Sequence, residues 1–186
     1  MARYLVTGGA GFIGSHIVER LARGGHAVRV LDNLSTGRLE RLEPVQSQIE
    51  CVEGDIRDRK IVQRAVQGVD YVIHEAAWRS VPKSMKDPWG YAEVNVLGTV
   101  NLLEAAAAAK VKRLVFASSS SVYGETEAMP LREDQPTQPI SPYAMSKLSG
   151  EHYCQLFAKG FGLETVSLRY FNVFGPRQSL DNEYAV

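Results

Sequence analysis

Cysteine is scarce in this sequence: only two of its 186 residues are cysteines, and their spacing matches no metal-binding motif. Cys51 lies in a strand pattern and Cys154 in a helix pattern, so we expect both to be buried free thiols. Free thiols are typical of a reducing compartment, which predicts a cytoplasmic location. The sequence predicts neither a disulfide scaffold nor a metal site.

Long apolar runs are also absent. No stretch approaches the ~20 apolar residues that a membrane-spanning helix needs. Met1 leads into a short strand pattern, without the basic start and apolar core of a signal peptide. Charge of one sign is not in excess, because 21 basic residues balance 21 acidic residues. We therefore expect neither a membrane nor a nucleic acid to be the main partner.

Two hydrophobic patterns alternate along the chain, whose length is enough for one domain with a sizeable core. Short apolar runs predict six strands, at residues 3–6, 27–31, 49–53, 71–73, 114–117 and 165–168. Helical periodicity predicts helices at residues 11–23, 61–66, 88–109 and 142–159, and a turn with a short helix at 33–44. This order predicts an α/β fold with a doubly wound parallel sheet, whose ligands bind at the carboxyl ends of the strands.

A glycine-rich loop joins the first strand to the first helix. It reads Thr7-Gly8-Gly9-Ala10-Gly11-Phe12-Ile13-Gly14. Gly8 suits a sharp turn, Gly11 leaves room for a diphosphate to approach the backbone, and Gly14 lets the helix lie close to the strand. Because a helix N-terminus offers free N–H groups to an anion, the loop predicts the phosphate cradle of a Rossmann fold. An ordinary glycine-rich turn is the alternative.

An aspartate ends the second strand, 18 residues after the last glycine of the loop. In a dinucleotide-binding fold, Asp32 would accept hydrogen bonds from the adenosine ribose and repel a 2′-phosphate, which favours NAD over NADP. A solvated turn aspartate or a helix cap is the alternative. The polar turn that follows is placed to continue around the ribose and contains Asn33, Ser35, Thr36 and Gly37.

The third and fourth strands also end in residues that suit a cofactor. Asp55 could accept a hydrogen bond from the adenine amino group while Ile56 packs on the ring, although Asp55 could instead cap a helix. Ala76 and Ala77 are small enough to let the backbone approach the cofactor. We interpret His74, just before them, as a structural histidine.

A tyrosine and a lysine four residues apart begin the last helix. Ser141 can cap this helix and Pro142 suits its first position, so Tyr143 and Lys147 share one face. A nearby ammonium favours the phenolate and moves the tyrosine toward use as a general base. A surface pair is the alternative, but the dinucleotide loop and the serines at 118–121 favour the catalytic interpretation. No histidine lies near those serines and no Gly-x-Ser-x-Gly elbow is present, which argues against a serine hydrolase.

Together these motifs resemble the extended short-chain dehydrogenases/reductases, and more narrowly the NAD-dependent nucleotide-sugar epimerase/dehydratase family of the UDP-glucose 4-epimerase type. The resemblance covers essentially the whole chain. It is carried by residues 7–14, 32–37, 54–56, 74–77, 95–99, 118–124, 143–147 and 169–175. These motifs are specific for the family and much less specific for the sugar.

The resemblance implies a role for each matched residue. Ser119 would hydrogen-bond the substrate hydroxyl that is oxidised, Tyr143 would remove its proton, and Lys147 would bind the nicotinamide ribose and tune Tyr143. Ser80 and Asn172 would join Ser119 in contacting the nucleotide-sugar. The NAD site would comprise Gly8, Gly11, Phe12, Ile13, Gly14, Asp32, Asn33, Ser35, Thr36, Gly37, Asp55, Ile56, Ala76, Ala77, Arg79, Asn95, Tyr143, Lys147 and Phe171. For Arg79, a salt bridge at the rim is the alternative to a phosphate contact.

The implied reaction is C4 epimerisation of a UDP-sugar, of the UDP-glucose/UDP-galactose type, through a transient 4-keto sugar with NAD kept bound. Dehydration is disfavoured, because Ser120 and Ser121 stand where the family's 4,6-dehydratases carry Asp-Glu. A UDP-glucuronate decarboxylase or 4-epimerase of the same family is an alternative. A simple dehydrogenase that exchanges free NADH and a non-catalytic NAD-binding module are further alternatives.

Family members usually continue well past the length of this sequence, into a smaller lobe that grips the nucleotide and sugar. We therefore expect an NAD-binding domain at residues 1–175 and the start of a largely missing substrate-binding region at 176–186. Such a chain would bind NAD but turn over UDP-sugar weakly. The resemblance also implies a homodimer, built from the helix at 88–109 and the helix that carries Tyr143.

Overall fold

The computed structural model describes residues 1–179, which form six strands and six α-helices. The strands are β1 (Arg3–Thr7), β2 (Ala27–Asp32), β3 (Ile49–Glu53), β4 (Tyr71–His74), β5 (Arg113–Ser119) and β6 (Glu164–Tyr170). The α-helices are α1 (Phe12–Arg23), α2 (Arg59–Ala65), α3 (Val81–Lys86), α4 (Pro88–Tyr91), α5 (Gly98–Ala108) and α6 (Pro142–Phe161). Two 3-10 helices and one π-helix complete the described elements, at Leu39–Gln48, Ser120–Tyr123 and Ala92–Leu97 respectively.

All six strands belong to one parallel sheet, in the order β3-β2-β1-β4-β5-β6. This confirms the predicted doubly wound Rossmann fold. The chain moves outward from β1 in one direction to β3 and in the other to β6, so the order reverses between β1 and β4. A crevice forms at the carboxyl ends of the strands at such a reversal, and ligands bind there.

Two hydrophobic cores cover the two faces of the sheet. Leu5 of β1 belongs to a core that includes Leu102 and Leu103 of α5. Its neighbour Val6 belongs to the other core, together with Val18 of α1. Successive strand residues point to opposite faces, so strands covered on both sides read as continuous apolar runs. This is why the sequence identified the strands well.

The predicted helix over 88–109 is confirmed, because α4, the π-helix and α5 follow one another without a gap and the backbone stays right-handed helical at both junctions. The sequence did not predict the π-helical stretch within it or α3 just before it. Asp87 explains the division between α3 and α4, because it follows α3 and its carboxylate accepts a hydrogen bond from the N–H of Gly90 at 2.9 Å. Pro88 then begins α4. The short helix predicted within 33–44 lies later, at Leu39–Gln48.

The two cysteines differ in their surroundings. Cys154 of α6 is buried, as predicted, and burial raises the pKa of its thiol to about 12. Cys51 is exposed, so the prediction of a buried thiol was wrong there. The reason is the sheet order, since β3 is an edge strand that the flanking helices do not fully cover.

Candidate active site

A cavity of about 470 Å³ opens at the carboxyl ends of the strands around the β1/β4 reversal. Fourteen of the predicted cofactor residues line it: Gly8, Gly11, Phe12, Ile13, Gly14, Asp32, Asn33, Ser35, Thr36, Asp55, Ile56, Ala76, Ala77 and Arg79. Eight further residues line it that were not among the predicted cofactor residues: Leu31, Arg38, Arg41, Gly54, Glu75, Trp78, Val94 and Ser179. The cavity therefore brings together residues from four separate strand ends and the loops after them.

The glycine loop closes tightly over the end of β1. Gly8 adopts a positive φ of 68°, which glycine tolerates best, and its N–H donates to the carbonyl of Leu31 at 2.8 Å. A Cβ at Gly14 would lie 2.2 Å from the carbonyl oxygen of Gly8, so no larger residue fits there. At Gly11, the N-cap of α1, no side chain caps the helix N–H groups. These groups therefore stay available to an anion in the cavity.

Asp32 is anchored at the end of β2 by two backbone groups. Its carboxylate accepts hydrogen bonds from the N–H of Ala10 and the N–H of Leu34, both at 2.9 Å. Gly37 packs directly on this carboxylate, since a Cβ there would lie 2.6 Å from Oδ1. Gly37 thus supports Asp32 from behind rather than lining the cavity. The arrangement fixes the Asp32 carboxylate at the cavity wall.

Asp55 does not cap a helix, so that alternative was wrong. The cap of α2 is Asp58, whose carboxylate accepts from the N–H of Lys60 and of Ile61. Asp55 instead accepts hydrogen bonds from the backbone and side chain of Arg57, and from the amide of Asn33 at 2.9 Å. The Arg57 guanidinium holds the pKa of Asp55 down at about 2. An ionised acceptor therefore lies beside Ile56 at the cavity wall.

Three arginines concentrate positive charge at the cavity: Arg38, Arg41 and Arg79. Burial, and then repulsion from Arg38 and Arg79, lower the pKa of Arg41. Within residues 1–179 none of the three forms a salt bridge, so the rim salt bridge considered for Arg79 is not observed there. An anionic diphosphate would relieve this repulsion. Together with the uncapped α1, the arginines fit a dinucleotide.

Lys147 joins the last helix to the fifth strand. Its ammonium donates to the carbonyl of Ala117 at 2.8 Å and lies 5.2 Å from the ring centroid of Phe116. The side chain is buried, and burial lowers its pKa to about 8. Glu75 acts in the opposite direction by favouring the ammonium. A buried lysine of this kind can carry its charge at neutral pH and lose it only slightly above.

Ser119 and Tyr143 lie on the two elements that Lys147 connects. Ser119 is the last residue of β5, and its Oγ lies 2.9 Å from Oγ of Ser121 in the following 3-10 turn. Tyr143 begins α6, where Ser141 is the cap and accepts a hydrogen bond from the N–H of Ala144 at 3.1 Å. This confirms the predicted helix start. Tyr143 and Lys147, four residues apart in one helix, share a face.

Asn95 is the most buried of the predicted cofactor residues that do not line the cavity, at 2% exposure. Its side chain accepts from the N–H of Trp78 at 2.8 Å and donates to the carbonyl of Trp78 and to Ser146, both at 2.9 Å. It therefore joins the segment after β4, which lines the cavity, to α6. These contacts make Asn95 a positioning residue in the described structure.

The predicted substrate residues and Phe171 lie outside the cavity wall. Phe171 is 57% exposed and Asn172, beside it, is also exposed, in the segment that follows β6. Ser80 adopts a φ of 93° and caps α3 by accepting from the N–H of Lys83 at 3.3 Å. The roles of these residues toward cofactor or substrate stay predictions.

His74 is structural, as predicted. Its ring is fully buried, with Nδ1 2.7 Å from the hydroxyl of Thr7 and Nε2 2.9 Å from the hydroxyl of Thr99. Burial, reinforced by Lys147, lowers its pKa to about 3, so the ring is neutral at physiological pH. It ties β1 to β4 and α5 beneath the cavity.

A buried ion pair holds the elements around Ser119 together. Arg169 of β6 binds both carboxylate oxygens of Glu151 on α6, at 2.9 and 2.8 Å. Glu151 also accepts a hydrogen bond from Ser118 on β5. The guanidinium of Arg169 stacks on the ring of Tyr123 at 4.8 Å. The sequence carries no local signal for this network, because its members lie far apart in the chain.

None of the helices within residues 1–179 has the length and hydrophobicity of a membrane-spanning segment. Nor do His, Cys, Asp and Glu side chains there form a group of three or more that could hold a metal ion.

Similar proteins and similar solved structures are named as nucleotide-sugar 4-epimerases. The UDP-glucose 4-epimerase of Mycolicibacterium smegmatis is 44% identical over 188 residues, which cover 99% of this chain and 60% of that protein. A solved UDP-glucose 4-epimerase of Thermus thermophilus in complex with NAD is 48% identical, with a TM-score of 0.92 over 98% of this chain and 59% of that one. A UDP-N-acetylglucosamine 4-epimerase of Methanobrevibacter ruminantium, solved with UDP-N-acetylmuramic acid, is 42% identical, with a TM-score of 0.94 over 100% of this chain and 59% of that one.

The chain thus spans about 60% of the length of these relatives. A sequence profile described as the NAD dependent epimerase/dehydratase family matches residues 4–185. Because this match extends over nearly the whole chain, the protein belongs to the NAD dependent epimerase/dehydratase family.

Proposed function

We propose that this chain carries the cofactor-binding and proton-transfer part of an NAD-dependent nucleotide-sugar 4-epimerase of the UDP-glucose/UDP-galactose type. The observation that carries the proposal is the bond from Lys147 to Ala117, which brings the Tyr143 helix to the strand that ends in Ser119. The similar proteins named as UDP-glucose 4-epimerases support this assignment.

The residues that line the cavity support binding of the adenosine diphosphate part of NAD. Asp55 and Ile56 would hold the adenine, Asp32 the adenosine ribose, and the glycine loop with the three arginines the diphosphate. The Asp32 carboxylate at the wall favours NAD over NADP, because it would repel a 2′-phosphate. Lys147 would bind the nicotinamide ribose. When bound, NAD supplies the acceptor and then the donor of the C4 hydride.

Side chains of this protein would carry out the proton transfers. Tyr143 would take the proton of the C4 hydroxyl as a general base, and would return it to the C4 oxygen when hydride adds to the opposite face of the 4-keto sugar. The Lys147 ammonium would favour the phenolate form of Tyr143 by its positive charge. Ser119 would hold the reacting oxygen in place by a hydrogen bond. No carboxylate follows Ser119 in the 3-10 turn, which disfavours loss of water from C6.

A dimer and a cytoplasmic location complete the proposal. Met145, Tyr153 and Leu156 are partly or largely exposed and recur at helical spacing on α6. Trp89 and Leu97, in and after α4, are exposed as well. Exposed apolar side chains that cluster on neighbouring helices favour pairing of these helices with the same helices of a second copy. The cytoplasmic location rests on the reduced cysteines alone.

An isotope experiment tests the function. The protein, in stoichiometric excess, is incubated with NAD and UDP-glucose that carries deuterium at C4, and the products are followed by NMR. We expect UDP-galactose that keeps deuterium at C4, because the hydride leaves and returns within one site. Transfer of the label to free NADH would instead identify a dehydrogenase. In a parallel incubation with UDP-glucuronate in place of UDP-glucose, release of CO₂ would identify a decarboxylase. NAD binding without any turnover would favour a non-catalytic module.

A further inference from the structure

Glu75 is an acidic residue of the cavity wall that the assigned chemistry leaves without a role. It directly follows β4, and its N–H continues the strand pairing by donating to the carbonyl of Thr7 at 3.1 Å. Its carboxylate accepts a hydrogen bond of 2.9 Å from the hydroxyl of Tyr170, the last residue of β6. The two residues are 95 positions apart in the chain.

The path of this hydrogen bond defines where the carboxylate lies. β5 lies between β4 and β6 in the sheet, so a bond from Glu75 to Tyr170 passes over the carboxyl end of β5. That end carries Ser119, and Ser119 and Tyr170 are paired in register. Glu75 therefore faces the half of the cavity next to the proposed catalytic residues, away from Asp32 and Asp55 on β2 and the segment after β3.

The charges around Glu75 favour its ionised form despite its burial. Burial raises the pKa of Glu75 above its ordinary value, although the Tyr170 hydrogen bond and the Lys147 ammonium act in the opposite direction. The neighbouring imidazole of His74 is neutral. Tyr170 is held as a neutral donor, because burial and the Glu75 charge raise its pKa. The Lys147 ammonium and a Glu75 carboxylate beside the cavity thus favour each other's charged form.

We propose that Glu75, clamped by Tyr170, is a cofactor-facing residue that makes the site prefer the oxidised over the reduced nicotinamide cofactor. The inference rests on the proposed function, which places the nicotinamide ring in this half of the cavity. An oxidised nicotinamide ring carries a positive charge and the reduced ring carries none, so a nearby carboxylate stabilises only the oxidised form. This preference favours return of the hydride to the sugar and keeps the resting protein oxidised.

Direct binding measurements test the inference without relying on turnover. The dissociation constants of NAD and NADH are measured by calorimetry for the unsubstituted protein, Glu75→Gln and the control Glu164→Gln. Glu164 lies at the opposite end of the sheet, where it pairs with Arg113 on the surface. Glutamine keeps the shape of the side chain and an acceptor for Tyr170, so only the charge is removed.

We expect Glu75→Gln to raise the ratio of the NAD to the NADH dissociation constant about tenfold, the order that Coulomb's law gives for unit charges roughly 10 Å apart at an effective dielectric constant of about 20. The midpoint potential of the bound cofactor would rise by about 30 mV, since tenfold corresponds to that value for a two-electron couple. Glu164→Gln should leave the ratio unchanged. Equal weakening of NAD and NADH, or no change in either, would overturn the inference.

A second variant guards against misfolding of the first. Glu75→Asp keeps the charge but shortens the reach to Tyr170, and we expect its ratio to stay close to that of the unsubstituted protein. A tenfold shift in this variant would show that shape rather than charge is responsible, and would overturn the inference. If the unsubstituted protein binds neither NAD nor NADH, the proposed function fails first and this inference fails with it.

Discussion

The ammonium of Lys147 donates a hydrogen bond to the carbonyl of Ala117 across 2.8 Å, and so joins helix α6 to strand β5. Ala117 lies two residues before Ser119, and Lys147 lies one helical turn after Tyr143. One buried bond therefore positions the three proposed catalytic residues relative to one another. Burying the Lys147 ammonium costs desolvation free energy, which the carbonyl of Ala117 and the Glu75 carboxylate offset in part.

The first prediction concerns the pKa of Lys147. We expect NMR titration of the protein, with ¹⁵N-labelled lysine, to give a value of about 8, because burial disfavours the ammonium. In Glu75→Gln the pKa should fall further, since the carboxylate that stabilises the ammonium is gone. Loss of the resonance in Lys147→Arg assigns it. A pKa near the ordinary value of about 10.4 would contradict the burial seen in the structure.

The second prediction concerns the proposed base. Tyr143→Phe should lower the epimerisation rate by roughly 10²–10⁴-fold, the usual contribution of a general base. NAD affinity should stay within about tenfold, since one hydroxyl contributes on the order of 0.5–1.5 kcal/mol to binding. Tyr153→Phe is the matched control, because Tyr153 lies on the same helix but faces outward at 36% exposure. Unchanged epimerisation in Tyr143→Phe would refute the assignment of the base.

The third prediction tests the glycine loop. Gly14→Ala places a Cβ 2.2 Å from the carbonyl oxygen of Gly8, and overpacking of this kind costs about 1–3 kcal/mol. We expect a lower melting temperature and at least a tenfold loss of NAD affinity. Gly160→Ala in α6 is the control, since a Cβ there meets nothing within 4 Å and should stabilise the helix by up to about 1 kcal/mol. Equal melting temperatures for the two variants would contradict the close packing.

The fourth prediction concerns the choice between NAD and NADP. Asp32→Asn removes the negative charge and keeps the size of the side chain, although its single amide oxygen can accept from only one of the N–H groups of Ala10 and Leu34. We expect the preference for NAD over NADP to fall at least tenfold, or about 1.4 kcal/mol, because Arg38 and Arg41 can then attract a 2′-phosphate. Dissociation constants for both cofactors measure this. A preference that persists in Asp32→Asn would show that Asp32 does not discriminate.

Much of the fold was predictable from local patterns. All six strands lie within about two residues of their predicted positions, because parallel strands buried on both faces form apolar runs that are easy to recognise. The start of α6 was correct, since Ser141 and Pro142 are strong local signals. Helix α3 was missed, and the cap at Asp87 together with Pro88 separates it from α4.

The sequence by itself determined the order of strands and helices, the glycine loop and the candidate Ser119, Tyr143 and Lys147 residues. These features depend on hydrophobic periodicity and turn chemistry over a few neighbouring residues. Only the tertiary structure decided that Cys51 is exposed, that three arginines converge on the cavity, and that Glu75 is clamped by Tyr170. Such contacts depend on which strands lie side by side, and strand adjacency arises from packing of the whole sheet rather than from any local pattern.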